Sequence, residues 1–139
     1  MESNSYFEVK VSYTSLENKK VNESYLVETL TPSDADTKVV KHLEGFYQEQ
    51  LDVNSIVKKK YTELFLGNGD WLYEVKIDII TLDETKGEEK HTPCKYLVGA
   101  DSVKEALGVF EQNMKGTMCD YTITGVNLTK IVQVFKYNE

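Results

Sequence analysis

The sequence predicts an α+β fold: a single domain built from two pseudo-symmetric β-β-α-β units, with about six strands and two helices. Several segments alternate apolar and polar side chains with a period of two, which is typical of strands with one buried face. Two other segments carry apolar side chains at helical spacing behind good N-capping residues. Similar segments also recur in the same order in both halves of the chain, which indicates an internal repeat.

The first unit opens with two alternating segments that predict a β-hairpin around the polar residues 16–20. The inward-facing positions of its first strand are Phe7, Val9, Val11 and Tyr13. A helix follows, because Thr31 suits the N-cap and Pro32 suits the first helical position. Its apolar stripe comprises Ala35, Val39, Leu43 and Phe46. We expect residues 55–66 to form the third strand.

The second unit repeats this arrangement. The inward-facing positions of its first strand are Tyr73, Val75, Ile77 and Ile79. Pro93 predicts that the returning strand is an edge or is bulged there, since proline cannot donate to a ladder. Ser102 and Glu105 form a capping box, and Gly116 suits the end of the helix. The helical stripe comprises Val103, Leu107, Phe110 and Met114. Residues 121–135 then read as a strand that Gly125 bends.

The two halves match at nearly constant spacing. Phe7 matches Tyr73 at an offset of 66 residues, and Phe65 matches Phe135 at an offset of 70. We therefore expect one domain over residues 1–139, with repeat unit one at about 6–66 and repeat unit two at about 71–137, joined by the turn at 67–70. One such unit buries its apolar surface poorly alone, so the two are expected to share one core.

Charge and cysteine content narrow the class of protein. The net charge is −7, and every basic residue is lysine. Without a basic field or an arginine fork, binding to duplex DNA is disfavoured. The polar residues 1–5 lack the apolar core of a signal peptide, and no segment is apolar enough to cross a membrane. A cytoplasmic protein is expected, with Cys94 and Cys119 as reduced thiols.

The sequence does not predict an enzyme. His42 and His91 have no recognisable acid–base partner, and no nucleophile-elbow, zinc-protease or phosphate-loop spacing occurs. Cys94 and Cys119 lie 25 residues apart, too far for a zinc pair. We therefore expect no catalytic residues, no metal and no cofactor.

The chain resembles a family of uncharacterised small proteins of Bacteroidota and their phages, over residues from about 6 to 137. The segments that carry the resemblance are Phe7–Val11, Tyr25–Val27, Tyr61–Phe65, Tyr96–Val98 and Lys115–Met118. The family brings no catalytic residues to transfer. The resemblance implies a bacterial or phage-infected cytoplasm and an accessory gene on a mobile element.

Lys58 and Lys60 belong to the densest basic run in the sequence, and Tyr61 follows them directly. One interpretation is an edge strand that its lysines guard against self-association. The other is an anion or single-stranded nucleic-acid groove, in which Tyr61 would stack on a base.

Four further residues are candidates for ligand or partner binding. Trp71 and Tyr121 are not clearly needed in the core, and exposed aromatic side chains often anchor protein interfaces. Lys115 and Thr117 flank the predicted helix end, where capping competes with ligand binding as the explanation.

These observations favour a non-catalytic binding module that binds or sequesters a host protein, or associates with itself, through strand edges and exposed tyrosines. A small-ligand protein that holds a nucleotide is the first alternative, and single-stranded nucleic-acid binding is the second. A homodimer, including one that swaps half-chains, stays open.

Overall fold

Two helices and eight strands are found in the computed structural model, which describes residues 5–137. Residues 1–4, part of the polar segment noted above, and 138–139 lie outside that range. Along the chain the elements are β1 (Ser5–Ser15), β2 (Lys20–Thr29), α1 (Pro32–His42), β3 (Tyr47–Lys59), β4 (Glu63–Phe65), β5 (Trp71–Asp83), β6 (Glu88–Ala100), α2 (Val103–Met114), β7 (Asp120–Leu128) and β8 (Ile131–Phe135). The predicted α+β class is confirmed.

The predicted number of strands, about six, is wrong, because each predicted third strand is in fact two strands. The first is interrupted between Lys59 and Glu63, and the second between Leu128 and Ile131. The short strands that follow these breaks, β4 and β8, each take a parallel place in a sheet. Neither break contains a proline or a glycine, so no local breaker marks where the strand stops.

The strands form two four-stranded sheets. One has the order β3-β1-β2-β8 and the other has the order β4-β6-β5-β7. Within each sheet three long strands are antiparallel, and the short strand is parallel to its neighbour. Neither sheet is made by one predicted β-β-α-β unit alone, because β4 and β8 each pair with strands of the other half of the sequence. The predicted β-β-α-β units, each a continuous stretch of sequence, therefore do not correspond to the two sheets.

The chain divides into two compact units. Unit 1 comprises Met1–Lys60 and Lys130–Glu139, and unit 2 comprises Tyr61–Thr129. Each contains one sheet, one helix and its own cluster of buried apolar side chains. Two clusters of buried side chains are thus found among the described residues, where the sequence predicts one shared core.

Helix α1 covers one face of the sheet in unit 1. The predicted N-cap is confirmed, because the Thr31 Oγ1 accepts a hydrogen bond of 3.1 Å from the backbone N–H of Asp34. The helix ends at His42, and Phe46 is 51% exposed, so the prediction that Phe46 continues the apolar stripe is wrong. The buried cluster comprises Phe7, Val9, Val11, Tyr25, Val27, Ala35, Val39, Leu43 and Phe135.

Helix α2 plays the same part in unit 2. Ser102 caps it by accepting a hydrogen bond from the backbone N–H of Glu105, and Gly116 follows with φ +88°, as predicted. Val103 is 49% exposed, so the prediction that it belongs to the apolar stripe is wrong. The buried cluster comprises Phe65, Tyr73, Val75, Ile77, Tyr96, Val98, Ala100, Ala106, Phe110 and Met114.

Both sheets contain a bulge at matching places. In unit 1 the register between β1 and β3 shifts so that Asn54 has no partner, and in unit 2 the shift between β5 and β7 leaves out Thr124. The second bulge adjoins Gly125, where the sequence predicts a bend. A bulge increases local twist and interrupts an edge, so both outer strands deviate midway along their length.

Candidate functional site

Strand β7 is an edge strand of unit 2. It pairs with β5, and no other described strand pairs with it. An edge strand presents backbone N–H and C=O groups that can pair with another extended chain. The strand spans nine residues, which is long enough for such pairing to be specific.

The composition of β7 is unusual for an edge, because no charged residue lies between Tyr121 and Leu128. Threonine, isoleucine and valine dominate it, and these residues favour extended structure. The edge strand β3 of unit 1, by contrast, carries Glu49, Asp52, Lys58 and Lys59. Charged side chains on an edge oppose pairing with a further strand, so the β3 edge has a protection that residues 121–128 of β7 lack.

The inner face of β7 is fixed by the core of unit 2. Tyr121, Ile123 and Val126 pack against the buried cluster, and the Tyr121 ring meets Phe110 edge-on at a centroid distance of 5.6 Å. The side chains of Thr122 and Thr124 are exposed. One face of β7 is therefore packed on the core of unit 2, and its other face carries exposed threonine side chains.

An apolar corner adjoins this edge. Trp71, at the start of β5, is 57% exposed, and Leu128, at the end of β7, is 55% exposed. Leu128 pairs directly with Tyr73, so Trp71 is its diagonal neighbour on the same face of the sheet. In unit 1, Phe7 corresponds to Tyr73. The residue paired with Phe7 is the charged Lys58, whereas the residue paired with Tyr73 is the apolar Leu128. We call Trp71 and Leu128 the Trp71 corner.

The predicted basic site is only partly brought together. Lys58 and Lys60 are exposed at the end of β3 in unit 1, and Lys59 lies 3.8 Å from Glu8. Tyr61 belongs to unit 2, is only 8% exposed, and donates a hydrogen bond of 3.0 Å from its hydroxyl to Glu74. The Tyr61 ring thus has almost no accessible face on which a base could stack.

Lys115 and Thr117 lie at the C-terminal end of α2. The backbone N–H and the hydroxyl of Thr117 both donate to the carbonyl oxygen of Met114, at 3.1 and 2.6 Å. These bonds satisfy a carbonyl that the helix leaves unpaired, so Thr117 has a capping role. Of the seven candidate residues, Trp71 lies at the exposed corner beside β7, whereas Tyr121 of β7 packs against the core of unit 2.

The structure also shows a cluster that the sequence reasoning missed. His91 Nδ1 lies 2.6 Å from the Asp78 carboxylate, and His91 Nε2 lies 3.4 Å from Glu89. The hydrogen bond to Asp78 raises the pKa of His91. The feature that could have predicted this cluster is the β5–β6 hairpin, because its register places Asp78 and His91 on neighbouring strands.

This His91 cluster lies on an exposed hairpin, and both ring nitrogens face carboxylates. The arrangement can hold a protonated imidazole in an ion pair. Within residues 5–137, no group of three or more histidine, cysteine or acidic side chains is placed to hold a metal ion. Neither described helix is long and apolar enough to span a membrane.

Among the comparisons with known proteins, the comparison with protein families found a match. No curated protein and no solved structure matches the chain. The profile of one family matches residues 5–137, which is nearly the full length. The chain belongs to the family described as domain of unknown function DUF4494.

Proposed function

We propose that this protein is a non-catalytic binding module that recognises a protein partner by taking an extended segment of it along the edge of β7. The observation that carries this proposal is the unpaired, uncharged edge from Tyr121 to Leu128. In this mode of recognition the backbone hydrogen bonds provide affinity, and contacts with side chains provide specificity.

The Trp71 corner supplies the specificity in this proposal. Tryptophan is among the residues most often found to dominate binding energy at protein interfaces. Because Trp71 and Leu128 lie beside the end of β7, an apolar side chain near one end of the added segment would cover both. Burying this surface would add hydrophobic free energy to the backbone pairing.

The identity of the partner is proposed from context. The resemblance to proteins of Bacteroidota and their phages suggests that the partner is a host component that this protein binds or sequesters. We also propose a cytoplasmic location. Self-association, in which a second copy of the chain is the partner, is the other form of this proposal.

The experiment uses a displayed library of random peptides selected on the intact protein. We expect the selected peptides to protect the amides of residues 120–128 from hydrogen exchange. Thr124→Lys, which puts a charge on the edge, should weaken their binding about tenfold. Trp71→Ala should cost about 2 kcal/mol of binding free energy, the usual threshold of an interface hot spot.

Asn54→Lys is the matched control, because Asn54 is the bulged residue of β3 as Thr124 is of β7. It should leave peptide binding unchanged. Protection of amides outside residues 120–128, or a library that yields no binder, would each contradict the proposal.

A nucleotide or a single-stranded nucleic acid is the second candidate class of ligand. The observation in its favour is the pair of exposed lysines at the end of β3, Lys58 and Lys60. Thermal shift against nucleotides and gel shift with single strands at low salt test it, because binding to the native state raises the unfolding midpoint. A shift that Lys58→Ala abolishes would favour this candidate over β7 pairing.

A further inference from the structure

A groove lies on the sheet of unit 1, on the side opposite its buried cluster. Alternation places Ser12 and Thr14 of β1 on the face opposite Val11 and Phe7. Ser12 pairs with Asn22 of β2 on one side and with Asp52 of β3 on the other. Three neighbouring strands thus present polar side chains in one row across the sheet.

The groove has a volume of about 590 Å³, which lies in the usual range for small-molecule sites. Its lining comes from the ends of β1 and β2, the turn between them and the first half of β3. The lining residues are Ser12, Tyr13, Thr14, Asn18, Lys20, Val21, Asn22, Gln48, Glu49, Gln50 and Asp52.

Amide and hydroxyl side chains dominate this lining, and such groups both donate and accept hydrogen bonds. The charged members are Lys20, Glu49 and Asp52, so the lining carries a net charge of −1 (one base against two acids). A phosphate or carboxylate ligand would meet one lysine and two carboxylates, which disfavours anions. A ligand with many neutral hydroxyl groups would find partners throughout.

Hydrogen bonds inside the groove hold several of these side chains in position. Gln50 Nε2 donates to Asp52 at 2.8 Å, and Gln48 Nε2 donates to the carbonyl oxygen of Ser15 at 3.0 Å. Asn54 Nδ2 donates to Ser12 Oγ at 3.1 Å. Each glutamine keeps its amide oxygen and one N–H for a ligand. Side chains fixed before binding lose less conformational entropy when a ligand arrives.

The Tyr13 ring lies on the other face of β1. It packs against the buried cluster, at a centroid distance of 6.4 Å from Tyr47, and its hydroxyl donates to Glu23 at 2.8 Å. The side chains that carry the groove are therefore the polar ones.

Unit 2 does not share this surface. In its hairpin Asp78 pairs with Pro93, and Ile80 pairs with His91. The corresponding pairs of unit 1 are Ser12 with Asn22 and Thr14 with Lys20. A row of small polar side chains is thus a property of one sheet and not of the fold.

We propose that unit 1 binds a neutral, hydroxyl-rich ligand of the saccharide class in this groove. The side-chain amides and hydroxyls of the lining hydrogen-bond its hydroxyl groups. The proposal is independent of partner binding at β7, which belongs to unit 2.

The test is a titration of the ¹⁵N-labelled intact protein with methyl glycosides of glucose, galactose, mannose and N-acetylglucosamine, and with maltose and cellobiose. We expect at least one of them to shift the amide signals of residues 12–22 and 48–52. Asn22→Ala and Gln50→Ala should each weaken that binding about tenfold, because each removes hydrogen-bonding groups from the groove.

Thr122→Ala, in unit 2 at the place that matches Asp52 of the groove, is the control and should leave the affinity unchanged. Glucuronate and adenosine monophosphate form the anionic arm. No shift with any neutral sugar would overturn the proposal, and so would tighter binding of either anion than of every neutral sugar. Loss of peptide binding at β7 would leave this titration unaffected, so the two proposals fail separately.

Discussion

Gly69 and Asp70 determine how the loop at residues 67–70 packs against the rest of unit 2. Gly69 adopts φ +65°, and a Cβ built on it would lie 2.2 Å from the carbonyl carbon of Ala100. The backbone N–H of Asp70 donates to Asp101 at 2.7 Å. The loop is therefore packed directly on the end of β6, at the start of α2.

We expect Gly69→Ala to lower the free energy of unfolding by about 2–4 kcal/mol, since it combines a positive φ with a backbone clash. Chemical denaturation measures this difference. Gly108→Ala is the control, because Gly108 lies in α2 with open space around it. That substitution should raise stability by about 0.5–1 kcal/mol. Equal effects of the two substitutions would contradict the packing of the loop.

His91 gives a second prediction at this scale. Its pKa lies above the ordinary value of 6.5, chiefly through the hydrogen bond to Asp78. The protonated form is thus favoured in the folded state. Its stabilising contribution is full below pH 6.5 and is lost as the pH rises through the pKa of the folded state.

An NMR titration of the His91 ring protons measures this pKa. Asp78→Asn should bring it back towards the ordinary value, and Glu89→Gln should lower it less, because Asp78 makes the larger contribution. A titration of His91 that neither substitution changes would contradict the observed pairing.

At the scale of elements, a stacked pair of aromatic rings joins each of the short parallel strands β4 and β8 to the neighbouring strand. In unit 1 the Phe135 ring stacks on Tyr25 at a centroid distance of 5.9 Å and an angle of 15°. In unit 2 the Phe65 ring stacks on Tyr96 at 5.4 Å and 19°. All four side chains are largely buried, so these contacts fix the short strands to their sheets.

Phe135→Ala should destabilise the protein by about 3–5 kcal/mol, the usual cost of removing a buried phenylalanine ring. Hydrogen exchange should rise first along β2, where β8 pairs with residues 24–27. Val132→Ala, a change at an exposed position of the same strand, should alter stability by less than about 0.5 kcal/mol. If both substitutions cost the same, the stack is not what holds β8.

For the whole molecule, the connection between the units is the feature that matters. Unit 2 is one continuous stretch, Tyr61–Thr129, whereas unit 1 is made of two stretches that flank it. The fourth strand of unit 1 comes from the second half of the sequence, and the fourth strand of unit 2 comes from the first half. The units are thus nested in the sequence.

This nesting makes a prediction about fragments. A fragment of residues 61–129 contains every strand of the second sheet and all of its buried cluster, so it should unfold cooperatively on its own. A fragment of residues 71–137 has nearly the same length but lacks Phe65 and β4, and it carries β8 without β2. It should show no cooperative transition by circular dichroism. The reverse result would contradict the assignment of β4 and β8.

Much of the fold could be predicted from local patterns. The helix caps at Thr31 and Ser102 and the two hairpins follow from short-range sequence signals. The breaks after Lys59 and Leu128 could not be predicted, because no proline or glycine lies in them and the choice of partner strand is a non-local property. Trp71 and Tyr121 were identifiable as aromatic side chains. The edge of β7 was not, since an edge is defined only once the strand order is known.

The nested order has a consequence for synthesis on the ribosome. The first sixty residues emerge earliest, yet their sheet lacks its last strand until residues 131–135 have left the exit tunnel. The later-made segment 61–129 holds everything that it needs and can close before the earlier one. The usual vectorial order, in which the amino-terminal part folds first, is therefore reversed for these two units, and β2 keeps an open edge until residues 131–135 are available to pair with it.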